Sequence, residues 1–157
     1  MIDQIYTFFN IDMIYIWLNF TVLPFWFILL FFPQSRICKI FVTSVFPILL
    51  LGLVDLYLII QIFKNEFNFF EGFNLYLSLD ELLDLFSDKY FITIFWVHFL
   101  AINLFCGSWI VRDYTKINMP KFLAFFPILL TYLVGPIGII IYWFIRIFFS
   151  KKIDLYD

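Results

Sequence analysis

A chain of 157 residues that is 64% hydrophobic, with 25 phenylalanines and a net charge of −2, lies far outside the soluble globular norm of about 45–50% apolar. Its weak negative charge argues against a nucleic-acid partner, which would meet a basic patch. Four long apolar stretches use nearly all the residues, so no soluble catalytic domain fits beside them.

The first twelve residues, MIDQIYTFFNID, contain no Lys or Arg. They lack the basic start of a secretory signal and the Arg/Ser richness of a transit peptide. The expected route is direct insertion, into a bacterial inner membrane or an organelle membrane. These residues read as a short interfacial helix leading into the first span.

Span one is expected over residues 13–32 and carries Trp17, Asn19, Thr21, Pro24 and Trp26. Such a stretch meets the roughly 20 residues needed to cross a hydrocarbon core about 30 Å thick. Pro33 ends it, because proline cannot donate to the helical ladder. Trp17 suits the membrane edge. Trp26 is too deep for that and is expected to pack against protein or a bound apolar molecule.

Span two is expected over 39–63, with Pro47, Gly52 and Asp55. A carboxyl group inside lipid is costly and therefore a candidate site. Asp55 reads either as a proton donor or ligand anchor, or as a hydrogen-bonding partner of a neighbouring helix.

An acidic connection follows. Within it Ser78-Leu79-Asp80-Glu81 has the form of a helix capping box, and Leu79, Leu82, Leu83 and Phe86 share one helical face. An amphipathic helix on the membrane surface is expected over 78–88.

Span three is expected over 90–111 and holds the only histidine, His98. An imidazole can exchange protons near neutral pH, although a lone histidine on an apolar helix is more often structural. Helical periodicity puts His98, Phe105 and Trp109 on one face and Trp96, Asn103 and Gly107 on the other. Asn103 and Gly107 form a packing seam, since small residues let membrane helices approach and amides bond across them. Arg112 and Asp113 lie just past the span, either closing the His98 groove or anchoring at the interface. Cys38 and Cys106 make no redox or metal spacing.

A polar turn over 112–121 leads to span four, expected over 122–148. It contains Pro127 and then Gly135-Pro136-Ile137-Gly138, where the helix must weaken. A kinked single span is the first expectation and a re-entrant hairpin the alternative. The resulting fold class is all-α: a four-helix transmembrane bundle with a short amphipathic interfacial helix between spans two and three, one integral membrane domain over 1–157. Basic residues tie between its two sides at five each. The basic flank after span one then places the turns after spans one and three in the cytoplasm or its equivalent.

Three pieces of the chain, taken in order, form a known pattern. The first is Trp17-x-Asn19, then Leu23-Pro24-x-Trp26 and Pro33. The second is Trp96-x-His98-x-Leu100-x-x-Asn103-Leu104-Phe105-x-Gly107-x-Trp109 with Arg112-Asp113. The third is Pro127, Thr131, Gly135-Pro136-x-Gly138 and Arg146. Together they resemble the abscisic-acid-deficient-four-like membrane family over about 13–148. Plant members of that family are required to form neoxanthin from violaxanthin in the plastid. The resemblance thus implies a tie to carotenoid or isoprenoid metabolism, and chemistry that delivers a proton to an epoxide oxygen and removes one from a polyene.

On that reading His98 is the candidate base, with Asp55 or Asp113 as acid. Trp17, Asn19, Trp26, Trp96, Asn103, Trp109 and Arg112 are candidate ligand contacts. Pro24, Gly107, Gly135, Pro136 and Gly138 are structural. Asn103 departs from the family pattern, in which an Asp is usual at this place; an amide cannot titrate. No cofactor or metal is expected.

Two functions compete. One is an enzyme, or an essential enzyme partner, acting on a carotenoid-like lipid. The other is a non-catalytic module that binds membrane lipid or scaffolds a protein partner. A transporter fits less well, because the spans lack rings of charge and repeated halves.

Overall fold

The computed structural model describes residues 10–64 and 78–150. Among them are six α-helices and no strand. In chain order these are α1 (Ile11–Phe31), α2 (Phe46–Lys64), α3 (Leu79–Ser87), α4 (Lys89–Lys116), α5 (Lys121–Val134) and α6 (Pro136–Ser150). The expected interfacial helix within residues 1–12 lies mostly outside the described residues. Among the described residues, three segments are long and apolar enough to cross a membrane: Ile11–Phe31, Cys38–Lys64 and Lys89–Lys116. The all-helical, membrane-type reading holds, and several element boundaries differ from expectation.

Helix α1 begins on a side-chain cap, Met13 N donating to Asn10 Oδ1 at 2.8 Å. Pro24 sits inside it without ending it. The second apolar segment is not one rod from Lys39. It opens with a π-helical turn, Cys38–Val42, and bends over Thr43–Val45 before α2 starts. The hydroxyls there explain the bend. Thr43 Oγ1 donates to the Lys39 carbonyl and Ser44 Oγ to that of Phe41, while Phe46 N donates to Ser44 Oγ. Local bonds of this kind compete with the helical ladder, and Pro47 cannot extend a helix backward.

The amphipathic helix forms as its capping box specifies, with Glu81 N donating to Ser78 Oγ at 3.4 Å. None of α3's residues is buried, and Leu79 and Leu83 are exposed. Phe86 stacks edge-on against Phe91 and Phe95.

Two corrections concern the C-terminal half. Helix α4 runs on to Lys116, so Arg112 and Asp113 are helical residues rather than part of a turn. The turn is confined to residues 117–120, where Asn118 takes a positive φ of 52°. The fourth apolar stretch, expected as one kinked span over 122–148, is instead two helices that fold back on each other. Gly135 separates them with φ 66° and ψ −110°, backbone angles open only to glycine. Gly138 then lies against Thr131 and Pro127 of α5. A Cβ there would collide with the Thr131 hydroxyl and backbone nitrogen and with the Pro127 carbonyl oxygen. In a continuous helix Thr131 would be about 10 Å away along the axis. The stretch is therefore a helical hairpin rather than one kinked helix.

The described residues group into two compact units. One draws on the stretch up to Thr21 and on Leu50–His98; the other on Val22–Leu49 and the chain from Phe99 onward.

Candidate functional site

In the first unit, His98 and Asp55 come together. His98 Nδ1 is 3.0 Å from the Ile94 carbonyl oxygen and 3.5 Å from Asp55 Oδ1. A carbonyl oxygen only accepts, so this contact fixes the ring proton on Nδ1. In the neutral ring Nε2 then carries the lone pair, and Asp55 stands where a positive charge would develop. The imidazole is 55% exposed and Asp55 only 17%. The pair is thus an acid–base group open on the histidine side.

A second cluster in this unit is closed. Trp96 Nε1 donates to Asn19 Oδ1 at 3.1 Å, and Asn19 Nδ2 donates to the Tyr15 carbonyl at 2.8 Å. The Tyr15 and Trp96 rings lie 5.9 Å apart. Asn19 uses both ends of its amide to tie α1 to α4. Trp17 points outward and is 56% exposed. Lys89 Nζ meets Asp12 Oδ1 at 2.8 Å on the surface.

In the second unit, Asp113 belongs to a buried network. Its Oδ2 accepts from Tyr142 OH at 2.6 Å and from Arg146 Nε at 2.7 Å; Oδ1 accepts from Arg146 Nη2 at 3.4 Å. Arg146 is 1% exposed. Trp109 stands edge-on to Tyr142 at 5.7 Å. A carboxylate this fully engaged is suited to holding α6 on α4. Arg112, next to it, faces outward.

The same unit contains the seam expected from Asn103 and Gly107. The Trp26 ring covers Gly107, where a Cβ would come within 2.8 Å of it, and stacks at 5.2 Å on Tyr132. Asn103 is buried against Gly135, its Oδ1 2.7 Å from where a Cβ would stand. Trp26 Nε1 and Asn103 Nδ2 are both buried donors without a hydrogen-bond partner among the described residues.

Of the three residues proposed to move protons, the structure pairs His98 with Asp55 and commits Asp113 to Arg146. Tyr142 escaped the sequence reading. Gly138, Tyr142 and Arg146 recur at intervals of four, one helical face, and that spacing is the signal that could have found it.

The fold and these clusters define an all-helical protein with membrane-length helices and polar pairs set among apolar ones. A family model described as ABA DEFICIENT 4-like matches residues 13–142, and the chain belongs to that family. No curated protein and no solved structure matches it.

Proposed function

We propose that this is a multi-pass integral membrane protein, a single domain over 1–157, that acts on an oxygenated isoprenoid of the carotenoid class dissolved in the bilayer. The observation that carries the reading is the His98–Asp55 pair, with the proton fixed on Nδ1 by Ile94 and the imidazole open on its other side. Intramembrane ionisable pairs of this kind mark functional sites. Family membership supports the substrate class.

The corresponding reaction is an isomerisation. His98 Nε2 takes a proton from a carbon of the polyene, the C–H electrons move into a new double bond, and the epoxide C–O bond opens. The oxygen leaves as an alkoxide and takes a proton, so the product has the composition of the substrate. Asp55 stabilises the imidazolium that forms.

A second reading is a binding module without chemistry. It is favoured by Asn103 Nδ2 and Trp26 Nε1, buried donors that meet no acceptor among the described residues. An amide and an indole can hold a hydroxyl, carbonyl or epoxide oxygen but cannot titrate.

The test is the pigment profile of membranes containing violaxanthin, with and without the protein. Conversion that is lost in His98→Ala, with membrane insertion unchanged, supports the enzyme. A polyene that co-purifies with the wild-type protein but is never converted supports the module. Full conversion by His98→Ala removes the histidine from the mechanism.

A further inference from the structure

We infer that α5 and α6 enter and leave the membrane on one side, so that the two ends of the hairpin and the turn before it share the cytoplasmic face. With 14 and 15 residues the two helices extend about 21 and 22 Å, each short of the ~30 Å hydrocarbon core. The contact of Gly138 with Thr131 and Pro127 turns the chain back rather than onward.

The return is fixed at its far end. Four residues, 117–120, separate α4 from α5, and this turn is tied down by Met119 N donating to the Tyr114 carbonyl at 3.0 Å. Helix α6 comes back to the same level, where Tyr142 and Arg146 bind Asp113, the neighbour of Tyr114 in sequence. Phe31, the last residue of α1, stacks on Phe125 in the first turns of α5, so the end of α1 lies at this level too. At the opposite extreme, the tip at Gly135 is covered by the buried amide of Asn103. Irregular backbone at membrane depth is tolerated only where protein or a water-filled cavity covers it.

This topology breaks the charge tie of a four-span chain. Arg146 is neutralised inside the protein by Asp113 and does not count toward either surface. The hairpin side carries Arg36, Lys39, Arg112, Lys116 and Lys121, and the sequence after Ser150 adds Lys151 and Lys152. The other ends of α2 and α4 carry Lys64 and Lys89. Seven against two is a decisive bias, and basic loops stay in the cytoplasm.

The inference rests on membrane embedding and is independent of any isoprenoid chemistry. The test uses the full chain in sealed right-side-out and inside-out vesicles, labelled with a membrane-impermeant maleimide. Three variants are compared: Lys116→Cys, Lys64→Cys, and a cysteine appended after Asp157, with the wild-type Cys38 and Cys106 as background. The Lys116→Cys protein and the appended cysteine are expected to label only in inside-out vesicles, and Lys64→Cys only in right-side-out ones. Labelling of Lys116→Cys and the appended cysteine from opposite faces overturns the hairpin. Labelling of both from the outer face overturns the orientation. Release of the protein by a carbonate wash would instead overturn the membrane reading beneath both.

Discussion

Arg146 Nε lies 2.7 Å from Asp113 Oδ2, and both side chains are buried. The two residues stand on different helices, so the pair clamps α6 against α4. Removing one partner strands the other's charge, which typically destabilises by about 3–5 kcal/mol. Arg146→Met is therefore expected to lower the unfolding temperature in mild detergent sharply. The double variant Asp113→Leu/Arg146→Met should recover most of that loss, since apolar replacement of a whole buried pair is often neutral. A double variant as unstable as Arg146→Met alone would show that the clamp is not an ion pair.

The hairpin depends on two glycines for different reasons. At Gly135 the backbone angles forbid a side chain, and Gly135→Ala is expected to destabilise by about 1–3 kcal/mol. At Gly138 the obstacle is the facing helix, whose backbone atoms cannot yield as a side chain can. Gly138→Ala should reach or exceed the ~3 kcal/mol upper range of overpacking changes. Thermal unfolding of each variant checks both values, and a neutral Gly138→Ala would mean that α5 and α6 do not touch there.

Trp26 and Gly107 should behave as one unit. Gly107→Ala pushes a methyl into the indole ring and is expected to cost about 1–3 kcal/mol. Trp26→Ala alone leaves a cavity and should cost about 3–5 kcal/mol. In a double-mutant cycle Trp26→Phe, which shortens the ring, should relieve part of the Gly107→Ala loss. Strict additivity would disprove the contact.

The Lys89–Asp12 bridge serves as a control of small expected effect. Both side chains are about two-thirds exposed, at 67% and 65%. Water screens such pairs, and Lys89→Ala should change stability by no more than about 0.5 kcal/mol. A shift in the unfolding temperature as large as that of Arg146→Met would show that this bridge orders more than its surface.

What the sequence made legible follows the strength of its local signals. The Ser78 capping box specified α3 through bonds made within four residues, and α3 forms there. The spacing of Asn103 and Gly107 announced a packing face, and that face is packed. The bend at Thr43–Val45 was missed because hydroxyl-to-carbonyl bonds leave no mark in a hydropathy profile. The hairpin at Gly135 could be raised only as an alternative, since Gly-Pro weakens a helix without saying whether the chain bends or reverses. That choice is made by Gly138 against Thr131, a contact between helices. Asp113 looked like a proton carrier because its partners, Tyr142 and Arg146, lie 29 and 33 residues away in sequence.

That separation also sets an order of synthesis. When Asp113 is joined to the growing chain, the guanidinium that will neutralise it is still 33 residues from being added. Until Arg146 is in place, burying that carboxylate costs either its hydration or its charge, so the pair is expected to close late in assembly. A polypeptide that stops short of residue 146 leaves that anion without its partner and is expected to be less stable than the whole chain.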